Sequence, residues 1–179
     1  MSIEATLVYN NVLAILSLVA LAAALVLVVY RLAKGPEAAY LLGDKTIWLA
    51  WAVAVVATVG SLIYSEVIHF VPCKLCWFQR IAMYPLAFIL LVGAIRREAA
   101  VRYYGLPLAA VGLLISIYHN VIQFYPSLEG GSCDPLNPCS ARSVEVFGFI
   151  DIPFMAGAGF ILISVLLALY VKKTDHDPT

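Results

Sequence analysis

The sequence predicts an all-α fold, a polytopic bundle of transmembrane helices. Three observations carry that expectation. The 179 residues are 63% hydrophobic and only 12% charged, with a mean hydropathy of +0.95, too little charge to clothe a soluble domain of this length. Five apolar runs are each long enough to cross a bilayer as a helix, which takes roughly 20 residues. None of the runs alternates polar with apolar as a barrel strand does, and backbone groups in lipid must bond within their own segment, which leaves helices. The net charge of zero says little by itself, and nothing in the sequence calls for a nucleic-acid partner.

The first run, Val12–Tyr30, follows a segment that holds Glu4 and no Lys or Arg. That is the wrong n-region for a signal peptide, so it reads as a retained anchor. Arg31–Lys45 contains Gly35-Pro36 and Gly43-Asp44 and reads as an irregular connector, with room for a brief surface helix at Glu37–Leu42. The second run, Thr46–Phe70, carries Trp48, Trp51 and Tyr64 as packing residues or interfacial anchors. The short turn His69–Cys73 makes it an antiparallel neighbour of the third run, Trp77–Ile95, which Pro85 is expected to interrupt and kink. A short basic loop, Arg96–Tyr103, leads to the fourth run, Tyr104–Phe124.

The long loop Tyr125–Ile152 begins with a stretch, Pro126 to Ser140, too rich in Pro and Gly for a helix. Its second part, Val144–Ile150, is apolar and is expected to lie flat on the membrane, tucked against the bundle. Pro153 suits the first turn of the last run, Pro153–Val171. The tail Thr174–Thr179 is expected to fray.

Lys and Arg set the orientation. With the N-terminus outside, Arg31, Lys34, Lys45, Arg96, Arg97, Arg102, Lys172 and Lys173 fall on the inner side, leaving only Lys74, Arg80 and Arg142 opposite. All four cysteines then lie outside, where the compartment is oxidising and disulfides persist. The expected location is the cell membrane, multi-pass, with the N-terminus and the cysteine loops extracytoplasmic and the C-terminus cytoplasmic.

The chemistry-bearing residues gather on that outer side. Cys73 and Cys76 form a Cys-x-x-Cys pair, able to exchange two electrons as dithiol and disulfide. Cys133 and Cys139 form a second pair. Structural bridges and a four-cysteine zinc site are the alternatives. The spacing C-x5-C with two prolines is a poor zinc ribbon. Such short loops gain only roughly 2 kcal/mol from closure, and short exposed bridges are the reducible ones. Cys76 falls at the N-terminal end of the third helix, where the dipole favours thiolate. Arg80 lies one turn further on the same face, its alternative being a snorkelling interfacial arginine. His119 and Gln123 share a face near the outer end of the fourth helix, at the depth of Arg80. Together these three could donate to the carbonyls of a quinone, although each alone could simply bond a neighbouring helix. Glu66 and His69 are possible partners of Arg80 and stay unassigned.

The ordered set Pro72-Cys73-x-x-Cys76-x-x-Gln79-Arg80, His119-x-x-x-Gln123-Phe124-Tyr125-Pro126, Ser132-Cys133-Asp134, Cys139-Ser140-Ala141-Arg142 and Phe147-Gly148-Phe149-Ile150-Asp151-Ile152-Pro153 resembles the DsbB/BdbC family of membrane thiol–disulfide oxidoreductases. The resemblance runs from Trp48 to Tyr170. It implies a four-helix membrane domain over residues 46–172, an extra transmembrane helix and connector at 1–45, and a cytoplasmic tail at 173–179. It also implies a quinone, ubiquinone or menaquinone, near Cys76 and Arg80, and an extracytoplasmic DsbA-like thioredoxin-fold partner to be reoxidised. By resemblance, the partner attacks Cys133, Cys139 exchanges with the Cys73–Cys76 bridge at Cys73, and Cys76 faces the quinone. Arg80 stabilises developing charge, with His119 and Gln123 contributing on the quinone side. The six-residue separation of Cys133 and Cys139 is closer than in the best-known enterobacterial members.

Three other readings compete. A relative of vitamin K epoxide reductase also joins four helices, four cysteines and a quinone, but there the loop cysteines precede the CxxC pair. A non-enzymatic membrane scaffold would hold purely structural bridges. Export of reductant in the opposite direction would use the same residues.

Overall fold

The computed structural model describes residues 2–35, 43–131 and 133–170. Each apolar run becomes one helix: α1 (Ile3–Lys34), α2 (Lys45–Leu62, continued by one π-helical turn at Ile63–Val67), α3 (Lys74–Arg96), α4 (Val101–Phe124) and α5 (Ile152–Leu169). All five are long and apolar enough to cross a membrane, and no β-strand forms among the described residues. The chain is a multi-pass membrane protein built as a helical bundle. The possible surface helix at Glu37–Leu42, Ser132 of the loop motif, Lys172 and Lys173, and the tail Thr174–Thr179 lie outside the described residues.

Polar caps carry the helices beyond their apolar runs. α1 starts well before Val12 because the Ser2 hydroxyl accepts from the Ala5 amide at 3.3 Å, and Arg31 and Lys34 in its last turn complement the dipole. α3 starts at Lys74 because Cys73 serves as its cap. Pro85 does not interrupt α3, which runs unbroken from Lys74 to Arg96, and α4 likewise runs through Pro107. Proline withholds only one N–H, a loss that helices packed in a bundle tolerate.

α4 packs between α3 and α5, α2 between α3 and α5, and α1 lies on α5. The core centres on Leu86, Leu90, Phe160, Ile163 and Leu167, all fully buried. At Gly112 the absent side chain admits the Phe160 ring, which a Cβ would strike, so α4 and α5 approach closely there.

α1 buries only Ala14, Ser17 and Ala24. At its N-terminal end the Tyr9 hydroxyl donates to the Gly60 carbonyl (2.8 Å) and the Tyr64 hydroxyl donates to Asn10 Oδ1 (2.9 Å). The long loop tucks against this corner: Val144, Val146 and Ile150 bury against Ala14 and Tyr64. A turn through Phe147 and Gly148, both at positive φ, closes with two hydrogen bonds between Val146 and Ile150 and leaves Phe147 exposed. At the opposite end, Arg97 and Asp44 pair at 3.9 Å between the two short loops, an exposed contact of little energetic weight.

Candidate active site

The CxxC pair owes its geometry to the start of α3. Cys73 is extended (φ −69°, ψ 171°) and its Sγ accepts from the Cys76 amide at 3.4 Å, the position usually taken by a Ser or Asp oxygen. One helical turn brings the two sulfurs to 2.9 Å; both are free thiols. The helix N-terminus thus faces Cys73 most directly. The S–H of Cys76 and the His119 ring hold the Cys73 thiol below its ordinary range, against the opposing effect of burial.

His119 is fully buried, and its surroundings fix its tautomer. Nε2 lies 3.0 Å from the Cys139 carbonyl, which only accepts, so Nε2 carries the proton. The same nitrogen is 3.6 Å from Cys73 Sγ. Nδ1 then accepts from Gln79 Nε2 at 3.5 Å. Gln79 also donates to Ser116 Oγ (3.2 Å), and Ser116 donates to the Pro153 carbonyl (2.9 Å). A chain of bonds across α3, α4 and the start of α5 therefore sets the ring that meets the cysteines.

The second pair is a disulfide, Cys133–Cys139. Cys139 is buried in one cluster with Cys73, Leu75 and Ile122, and Cys133 and Cys76 border it. The Glu129 carboxylate clamps the loop, accepting from the Cys139 amide and the Ser140 hydroxyl, both at 2.6 Å. Those bonds, the Ser140 hydroxyl first, hold its carboxyl below the usual range. Asn137 Nδ2 donates to the Pro72 carbonyl at 3.3 Å, tying the loop to the CxxC turn.

Arg80 is buried rather than snorkelling. Its Nε and Nη2 donate to the Ser61 hydroxyl and carbonyl, both at 2.8 Å, and its guanidinium lies 5.2 Å from the Trp77 ring. Ser61, not Glu66 or His69, is its partner, and Nη1 has none among the described residues. Arg80, Cys73, Cys76, His119 and Gln123 line one cavity of about 410 Å³, walled otherwise mainly by apolar side chains, with Ser61, Gln79 and Asn137 among the polar ones. Gln123 turns its Nε2 to the Ala141 carbonyl (3.4 Å) and leaves its buried Oε1 without a partner. An orphaned acceptor, a cation and a half-buried thiol around an apolar space suit an amphipathic ring with oxygen substituents. His119 lines the same space with both ring nitrogens directed at protein groups.

All seven residues singled out from the sequence come together at this end of the bundle. The metal-capable groupings divide the sulfurs, Cys73 and Cys76 with His119, and Cys133 and Cys139 with Glu129, so the four do not converge on one tetrahedral centre. Ser61, Gln79, Ser116 and Glu129 belong to the site although the sequence did not single them out as site residues. Ser116 was findable, lying on the helical face of His119 and Gln123; Ser61 and Glu129 join only through tertiary contacts.

A helical membrane bundle that buries a CxxC pair against a second, disulfide-bonded pair defines a membrane disulfide oxidoreductase. The chain belongs to the disulfide bond formation protein DsbB family, whose family model matches residues 44–171. It is 44% identical over 132 residues to a probable disulfide formation protein of Oceanobacillus iheyensis, covering 73% of this chain and 91% of that protein. It is 44% identical over 124 residues to disulfide bond formation protein C of Bacillus subtilis, covering 69% and 90%. Against probable disulfide formation protein C 1 of Bacillus anthracis the identity is 41% over 132 residues, covering 73% and 94%. No solved structure matches the chain at a significant level. α1 precedes the matched segment.

Proposed function

We propose that the chain reoxidises a thioredoxin-fold thiol oxidase on the outer side of the cell membrane and delivers the two electrons to a membrane quinone, ubiquinone or menaquinone. The observation that carries this reading is the shared cavity. Cys76 and Arg80 face one apolar space in the bundle, while Cys73 packs on Cys139 behind them.

The partner's thiolate attacks Cys133 Sγ, forming a mixed disulfide and releasing Cys139 as thiolate. The partner's second thiol then resolves that bond, leaving the partner oxidised and the loop pair reduced. Cys139 thiolate attacks Cys73 of an oxidised Cys73–Cys76 bridge and frees Cys76 as thiolate; Cys133 closes back on Cys139 and releases Cys73. Two electrons and two protons have then moved from the partner to the CxxC pair. His119 donates its Nε2 proton toward Cys73 and orients the Cys139 backbone. A bound quinone supplies the two-electron, two-proton sink. Arg80 would hold one of its oxygens through the free Nη1, and Gln123 Oε1 would accept from a hydroxyl.

The N-out orientation rests on charge: Arg31, Lys34, Lys45, Arg96, Arg97 and Arg102 sit at the end of the bundle away from the cysteines. Residues 46–172 would be the catalytic domain, with 1–45 an addition to it. The test mixes purified protein, quinone and reduced thioredoxin-fold oxidase. Quinone reduction should follow partner oxidation, and Cys76→Ser should abolish it while a partner adduct at Cys133 still forms. Undiminished turnover in that variant removes Cys76 from the reaction.

A further inference from the structure

α1 lies outside the family match, yet it walls the cavity. Direct hydrogen bonds between α1 and α2 are confined to the outer end, where Tyr9 meets Gly60 and Asn10 meets Tyr64. Toward mid-membrane the helices line the same space with Leu16, Ser17, Val19, Ala20 and Ala23 from α1 and Ala52, Val53, Val56 and Ala57 from α2. The Ser17 hydroxyl donates back to the Ala14 carbonyl of its own helix at 2.7 Å, so it offers this space no free donor. The slot runs from Ser61, beside Arg80, down to Ala52, roughly 13 Å along α2 at helical rise. One end therefore carries Arg80 and the cysteines, and the remainder is lined mainly by apolar side chains. The whole volume, about 410 Å³, lies within the size range of ligand sites.

We propose that α1 is the second wall of a slot for the hydrocarbon tail of the acceptor, so that this helix selects tailed, membrane-resident quinones over short soluble ones. The proposal rests on the quinone reading above. It gives α1 a role in binding in addition to anchoring the chain, and it gives a reason for Ser17, Ala20 and Ala23 among the larger Leu13, Leu16 and Val19 that meet the cavity. Bulkier side chains there would fill the slot.

The test is a binding measurement on the full chain. Quenching of Trp77, which stacks on Arg80, is followed in a Trp48→Phe, Trp51→Phe background. The probes are a benzoquinone with a decyl tail and the same ring without it. Ala20→Phe and Ala23→Phe should weaken binding of the tailed quinone about tenfold or more and leave the tail-less ring within about twofold. Ala22→Phe, on the lipid-exposed face, should change neither. Formation of the partner adduct at Cys133 reports that each variant is folded, and the smaller Ala20→Val gives the same comparison where phenylalanine is not accommodated. Equal weakening of both probes, or no weakening of either, overturns the slot. Equal affinity of the unplugged protein for both probes overturns the slot and leaves the quinone reading standing, whereas binding of neither probe overturns both.

Discussion

His119 Nε2 lies 3.6 Å from Cys73 Sγ. Because the same N–H reaches the Cys139 carbonyl at 3.0 Å, one imidazole contacts a sulfur of the CxxC pair and the backbone of the second pair. Its tautomer is set by the Cys139 carbonyl at Nε2 and matched at Nδ1 by the Gln79 amide, which Ser116 holds in turn. An imidazole fixed in this way keeps its Nε2–H donor beside Cys73 Sγ.

Replacing His119 by Ala should therefore slow exchange between the two cysteine pairs more than it slows attack on Cys133. A hydrogen bond to a charged group contributes about 1.5–3 kcal/mol, which corresponds to a slowing of roughly 10- to 100-fold. Rapid-quench alkylation after addition of reduced partner would follow the two pairs separately. Gln79→Ala should give a smaller slowing of the same step, since it frees the ring without removing it. Equal effects on both steps would show that His119 supports only the fold.

Arg80 and Ser61 form a bidentate contact in which a planar fork meets a hydroxyl and a carbonyl. Lysine keeps the charge but cannot reproduce that fork. On the proposed function, Arg80→Lys should weaken binding of the quinone by about tenfold, the value of roughly one charge-assisted hydrogen bond. Arg80→Met should weaken it further, and both should leave the Cys133 adduct intact. Ser61→Ala should have a milder effect in the same direction. Titration of bound quinone against each variant gives the order.

The five helices were legible because length and apolarity alone specify a membrane span. Helix starts were misjudged where a cap lay outside the apolar run, as at Ser2 and Cys73. Pro85 was overweighted: in water a mid-helix proline breaks the helix, but packed between neighbours in a bundle α3 continues through it. Arg80 was legible as a functional candidate from its spacing to Cys76, while its partner was not, because Ser61 lies 19 residues earlier on another helix. Gln123 was read as a donor to the ring. Its donor goes to Ala141 and its acceptor is the free group, a choice set by where the long loop returns to the bundle.

Glu129 gives the loop a pH dependence. Its carboxyl is held below the usual range by bonds from Ser140 and Cys139, so the folded state favours the charged form. The clamp is complete above the ordinary carboxylate range and is lost as pH falls through the lower folded value. Amide exchange at Cys139 should accelerate over that acid window in the native chain. Glu129→Gln should show accelerated exchange already at neutral pH and no further acid transition from this group. A native acid profile retained in Glu129→Gln would assign the transition elsewhere.

Gly112 and Phe160 give the clearest packing test. A Cβ at Gly112 would collide with the ring, and Phe160 is fully buried, so the ring has little room to retreat. Overpacking of this kind costs about 1–3 kcal/mol. That exceeds the roughly 0.5–1 kcal/mol a helix gains from Gly→Ala, so Gly112→Ala should lower the melting temperature in detergent. At Gly157 the new Cβ would sit 3.5 Å from Ser116, an ordinary contact, and the helix-propensity gain should prevail there. Phe160→Leu alone should destabilise by leaving a cavity. Combined with Gly112→Ala it should cost less than the two single changes together, because the added methyl occupies space the ring has vacated. A double-mutant cycle measures that coupling directly; strictly additive losses would mean that α4 and α5 separate at this contact instead of repacking.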